Sequence, residues 1–173
     1  MKKIIRHICL FLSALVTGCI GVPENVKPVD NFDMRKYLGK WHEIARLDHS
    51  FERGLIKVTA DYTLGEDGGI IVLNRGFDPR RKKWKEIEGK GYLVGDPSVG
   101  RLKVSFFGPF YGGYNIIELD RNDYQYALVC GPNKSYLWIL ARDPMIDREI
   151  VKRLVAGAAS LGFDTGQLIY VEH

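Results

Sequence analysis

An all-β fold is predicted for this chain: an eight-stranded antiparallel up-and-down barrel, with one α-helix packed on its outside and a short final strand. Three observations predict it. From residue 39 onward, short runs of alternating apolar and polar residues are separated by turn clusters such as "EDGG", "DPSVG", "DRND" and "GPNK". The connections are of hairpin length, so consecutive runs are antiparallel neighbours; a two-sheet sandwich would want long crossovers, and none is found. One stretch near the C terminus changes its apolar period from two to that of a helix.

The elements follow in order. "KWHEIARLD" is the first strand. "LIKVTADYTL" alternates cleanly, with Val58, Ala60, Tyr62 and Leu64 on one face and Lys57, Thr59, Asp61 and Thr63 on the other. "IIVLNRGF" is the third, and "WKEIEGKGYLV" the fourth, whose inward Gly89 and Gly91 signal bending or room for a ligand. "RLKVSFF" is the fifth; after a longer loop at 108–113 come "YNIIEL", "YQYALVC" and "SYLWILAR". From Pro144 to Leu161, apolar residues recur at helical spacing along one stripe, so this helix belongs on the outside of the sheet. Asp143 is its expected N-cap and Gly162 its C′ residue. "LIYVE" is the closing strand.

Eight strands leave an interior just wide enough for side chains or one small ligand. Counting up and down assigns inward faces to Ala45, to Val58, Ala60 and Tyr62, and to Ile87, Gly89 and Leu93. It also assigns them to Val104 and Phe106, Tyr114 and Ile116, Ala127 and Val129, and Tyr136 and Trp138. Most are apolar, and the glycine and alanines leave volume, so an open cavity is expected to bind the ligand. Alternate loops share an end. The open end is expected at 48–54, 78–83, 108–113 and 131–135, with Arg53, Arg80, Arg81, Lys82, Lys83 and Lys134; the other end carries Glu66, Asp67, Asp96, Asp120 and Asp123.

The N terminus is a separate matter. Lys2, Lys3 and Arg6 precede "HICLFLSALVTG", an apolar run too short to span a bilayer permanently, which is the layout of a secretory signal over residues 1–18. Taking those three from the 25 basic residues leaves 22 against 21 acidic ones, so the formal charge of +4 belongs largely to the signal. A nucleic-acid binder would carry a concentrated basic face, and that class loses its support. Residues 20–30, "IGVPENVKPVD", read as a tether ahead of a single domain at 31–173. Cys130 is then the one cysteine left in the folded body, so no internal disulfide forms. The histidines are scattered; no metal site and no cofactor is expected.

Two resemblances sharpen this reading. "LVTGC" resembles the lipobox of bacterial lipoproteins, which implies that Cys19 becomes the first mature residue and carries diacylglycerol and a further acyl chain such as palmitate; Ile20 after it implies sorting to the outer membrane. "NFDMRKYLGKWHEIAR" resembles the first lipocalin signature, "LDRNDY" the second, and "WILARDP" contains the third. The body is similar to the bacterial outer-membrane lipocalins, relatives of apolipoprotein D. That resemblance implies that Gly39, Trp41 and Arg142 form the closed base, with Arg142 over the indole, and that the cavity binds, stores or transports a fatty acid or lysophospholipid in support of the envelope. It implies attachment to the membrane at the periplasmic face and allows a homodimer, for which no interface is legible. His42 departs from the family's more frequent Tyr. Some lipocalins are isomerases that use a cavity Cys. Cys130 is the only candidate here, and its strand places it opposite Ala127 and Val129 on the outer face, so no catalytic residue is expected. A structural or assembly lipoprotein with an incidental cavity is the alternative, and a Cys-dependent isomerase comes after it.

Overall fold

A computed structural model describes residues 20–173. The signal segment 1–18 and Cys19 lie outside the described residues. A single helical turn, α1 (Met34–Tyr37), precedes eight barrel strands. These are β1 (Gly39–Arg46), β2 (Ile56–Leu64), β3 (Ile70–Asp78), β4 (Lys83–Leu93), β5 (Arg101–Phe107), β6 (Phe110–Leu119), β7 (Tyr126–Cys130) and β8 (Leu137–Ala141). Helix α2 (Arg148–Ser160) and a short strand β9 (Ile169–Tyr170) follow. Each strand pairs antiparallel with the next, and β1 pairs with both β2 and β8, which closes the barrel. Beyond His42, β1 leaves β2, and β9 covers the freed edge at Ala45 and Arg46.

Two apolar clusters hold the fold. The first fills the barrel: Trp41, Tyr62, Val72, Leu102, Ile116, Ala127 and Val129 are among its members. The second lies between the barrel wall and α2, where Ile44, Leu128, Cys130 and Ile139 meet Leu154 and Ala158. Alternation along β7 divides its residues between the two, as the period of a strand requires.

Four expectations are corrected. Helix α2 begins at Arg148, not near Pro144. Asp147 accepts from the Glu149 amide as N-cap, while Asp143 accepts from the Met145 amide in a local turn that precedes the helix. The loop expected at 108–113 is only Gly108 and Pro109, because β6 starts at Phe110, opposite Phe107. Ala45 faces α2 rather than the interior. A bulge between Glu43 and Ala45 turns both Ile44 and Ala45 outward and Arg46 inward, which a strict alternation misses. The fourth concerns residues 20–30, which are no free tether. The Val29 amide donates to Ile116 O and the Gly100 amide to Val29 O, both at 2.8 Å, and the Val29 side chain joins the barrel cluster. Farther back, Asn115 Nδ2 donates to Gly21 O (3.0 Å) and Arg101 Nη2 to Ile20 O (3.2 Å). A side chain at Gly113 would put a Cβ 2.8 Å from Gly21 O, so glycine there lets the ribbon lie on β6.

Candidate functional site

The base is sealed by aromatic rings. Trp41 is wholly buried, its Nε1 donating to Tyr37 O (2.8 Å), with the two rings 4.7 Å apart. Arg142 arrives from the end of β8 with its guanidinium carbon 3.9 Å from the indole centroid. Its nitrogens donate to the carbonyls of Lys36, Tyr37, Leu38, Lys40 and Tyr124, so one side chain satisfies the C-terminal end of α1 and the start of β1. Gly39 adopts φ +90°, and the space a Cβ would take is 3.4 Å from Arg142 Nη1. Beside Trp41, the Tyr114 hydroxyl joins those of Tyr37 (2.7 Å) and Tyr62 (2.9 Å). Burial pushes all three phenols up, so they stay neutral and hydrogen-bond one another. Tyr37, Phe32 and Tyr124 in this plug were not singled out by the strand count, since they sit in turns outside the alternating runs.

Higher in the barrel, Ala60 and Tyr62 of β2, Leu93 of β4 and Val104 and Phe106 of β5 lie in or against the interior cluster. So do Tyr114 and Ile116 of β6, Ala127 and Val129 of β7, and Trp138 of β8. Val58 and Gly89 are buried, the latter facing the Phe106 ring. Ile87 pairs with Asn74 and remains 37 % exposed. Tyr136, just before β8, stacks with Trp138 at 6.2 Å.

The inward turn at Arg46 builds a polar cluster between this apolar shaft and the open end. Arg46 is 1 % exposed; its Nη1 donates to Glu43 Oε1 (2.5 Å), and its Nη2 to the carbonyls of Glu52 and Leu55. Glu52 accepts from Trp138 Nε1 at 3.2 Å. His49 Nε2 stands 3.1 Å from Glu52 but off the line of a hydrogen bond, and neither nitrogen of that ring, nor Arg46 Nε, has a hydrogen-bond partner among the described residues. Desolvation and the neighbouring Glu52 hold the Glu43 carboxyl well above its ordinary range despite Arg46. Glu52 is buried too, yet its hydrogen bonding and its neighbour His49 pull it below that range. The strand count singled out none of Glu43, Arg46, His49 and Glu52; the bulge, invisible in the sequence, turns Arg46 toward the others.

The open end comprises loops 47–55, 79–82, 108–109 and 131–136. Among its expected basic residues, Arg53 pairs with Asp48 (2.8 Å), and Arg81 lies 4.0 Å from Asp78. Lys134 points away from the mouth, its Nζ 3.0 Å from where a Cβ on Gly162 would stand, near the end of α2. Arg80, Lys82 and Lys83 are exposed and carry no ion pair among the described residues. On one side the wall is slit: β4 and β5 pair only over Lys90–Leu93 with Leu102–Ser105. Above that point a pocket of ≈ 250 Å³ is lined by Glu88, Gly89, Ser105, Phe106, Gly108 and Tyr111.

Cys130 is fully buried under α2, outside the barrel interior, and burial pushes its thiol up to about 12. It is held as an inert thiol. His42 packs edge-on against His173 at 5.2 Å, and burial draws its pKa down.

A closed barrel with a plugged base, an apolar interior and an outer C-terminal helix defines the class of small-molecule-binding barrels. Residues 32–173 match the family model described as a lipocalin-like domain, and the chain belongs to the lipocalin family. It is 54 % identical over 172 residues to the outer membrane lipoprotein Blc of Vibrio cholerae, covering 99 % of both chains. It is 57 % identical over 160 residues to the outer membrane lipoprotein Blc of Citrobacter freundii, covering 91 % of this chain and 90 % of that one. Among solved structures, insecticyanin from the tobacco hornworm Manduca sexta superposes with a TM-score of 0.70 over 90 % of each chain at 21 % identity, a likeness of fold.

Proposed function

We propose that this protein binds a single-chain lipid, a fatty acid or lysophospholipid, and stores or carries it at the outer membrane in support of the envelope. The observation that carries this reading is the vertical order of the interior. Neutral tyrosines and Trp41 seal the base, apolar side chains from the seven strands β2 to β8 fill the interior above them, and Arg46 with its carboxyl partners stands between that apolar interior and the mouth. An acyl tail laid along the shaft has its polar head at the level of Arg46, His49 and Trp138. Burying about ten CH₂ groups contributes ~8 kcal/mol, enough for dissociation near the micromolar range before ordering costs. The names of the Blc relatives support an outer-membrane lipoprotein, and the lipobox resemblance supports Cys19 as its anchor. The test is mass spectrometry of lipid extracted from the purified protein. Stoichiometric acyl species are expected; a barrel that stays empty when offered fatty acid and lysophospholipid overturns the reading and leaves the structural role.

A further inference from the structure

We propose that the open end of the barrel is a membrane-docking face, with the β5–β6 hairpin and Phe51 seated in the surface of an anionic phospholipid bilayer so that the mouth opens onto the lipid.

Phe107 and Phe110 are cross-strand partners flanking the Gly108–Pro109 turn, and they are 72 % and 79 % exposed. Phe51, in another loop of the same end, is 56 % exposed. Phenylalanine has no polar atom to satisfy in water, so three such rings at one end form the kind of surface that a soluble domain keeps for a partner. The chemistry beside them says which partner. Arg80, Lys82 and Lys83 are exposed in and beside the neighbouring loop, without ion pairs among the described residues. Apolar rings set among free cations fit an interface whose surface is anionic and whose interior is hydrocarbon. A second copy docked rim to rim would instead bring the same cations together. The opposite end carries exposed Glu66, Asp67, Asp96 and Asp123, and no large exposed aromatic among the described residues.

The path of the N-terminal ribbon points the same way. Ile20 and Gly21 are fixed to the wall at Arg101, Gly113 and Asn115. Gly113 is three residues from the rim at Phe110 and six from the base end of β6 at Leu119. At about 3.4 Å per residue, the ribbon leaves the wall ~10 Å from the rim and ~20 Å from the base. An acyl group on the residue before Ile20 thus starts nearer the mouth. This last argument rests on the reading of Cys19 as the anchor; the rim itself does not, and neither depends on what the barrel carries.

The experiment places a reporter at each end. Phe110→Trp and Leu64→Trp alter exposed positions at the mouth and at the base, so the fold is undisturbed. The full-length protein, processed by its host and purified, is reconstituted on vesicles of phosphatidylethanolamine and phosphatidylglycerol containing brominated phospholipid. The indole added by Phe110→Trp should lose emission to the bromine, and that added by Leu64→Trp should not. Replacing Phe51 and Phe107 by Ser in the Phe110→Trp protein should restore the emission. Equal quenching at both ends, quenching at Leu64→Trp alone, or none at either overturns the proposal, as does a rim-to-rim dimer in sedimentation that shields Phe110→Trp from lipid. The mass of the mature N terminus reports separately on Cys19; an unlipidated product is added to preformed vesicles and judged by the same quenching. Extracted lipid reports separately on the cargo.

Discussion

At the scale of single residues, Glu43 is the group whose environment most conflicts with its charge. Its pKa is raised, so over a window from the ordinary carboxylate range, about 4.3, up to its folded value the native state keeps a proton that the unfolded chain has lost. Stability from this site is therefore fully present below about pH 4 and falls as pH rises through that window. Glu43→Gln keeps an oxygen acceptor for Arg46 and removes the ionisation. Thermal unfolding of the variant should lack this fall and give a higher midpoint than the parent at pH 8; an equal slope in both would show Glu43 to be ionised in the fold. Cys130 gives a second expectation. With its thiol at about 12 and no solvent contact, native protein should resist iodoacetamide at pH 8 and become labelled only on unfolding. Rapid native labelling would reopen the isomerase reading. The place of Cys130 on the outer face was legible from the alternation of its strand; the environment of Glu43 was not. Glu43 reads as one more polar step in an alternating strand, and only the bulge after it, with Glu52 folded back from a loop, makes it a buried acid.

At the scale of elements, the strands were largely legible and the joints between them were not. The β5 run matches its expected bounds, β2 and β3 differ by a residue at one end and β4 by one at each end, because alternation is imposed by a sheet with one apolar face. Bulges interrupt β1, β2, β5 and β6, but only the one in β1 spoils the inward count, which is why Ala45 was placed inward and lies under α2. The N-terminal ribbon was illegible for another reason: its proline-rich sequence has no period, and its order comes from acceptors supplied to Asn115, Arg101 and Gly100 some seventy or more residues away. Gly113 records that contact. Gly113→Ala would force a methyl group against the Gly21 carbonyl, so the ribbon should lift from β6 at a cost of about 1–3 kcal/mol. Hydrogen exchange should then rise at the Val29 and Gly100 amides, which depend on the docked ribbon, while that of β7 and β8 stays unchanged. Unaltered exchange at Val29 would mean that the ribbon is held from its base end alone.

For the whole molecule, the question is what fastens it. The lipobox reading makes Cys19 the sole covalent link to the bilayer, and stable anchoring requires more than one acyl signal. Cys19→Ala should move the protein from the outer-membrane fraction to the soluble periplasm. Because docking by the rim is partly electrostatic, the fractionation needs a high-salt wash to separate anchor from rim. Persistence through that wash would show that Cys19 is not the anchor. Class, topology and base plug were all open to a reader of the sequence, since signatures near residues 41, 120 and 142 are brought together by barrel closure. The charged floor of the mouth was not, since it depends on one inserted residue in one strand.

The docked ribbon sets the protein's working radius. Eleven slack residues would let a barrel roam ~35–40 Å from its point of attachment, far enough to meet something deep in the periplasm. With Ile20 and Gly21 fixed to the wall, that leash is gone. On the reading of Cys19 as the anchor and of the barrel as a lipid carrier, a molecule fastened this closely is a station rather than a ferry: whatever exchanges lipid with it has to come to the leaflet on which it stands.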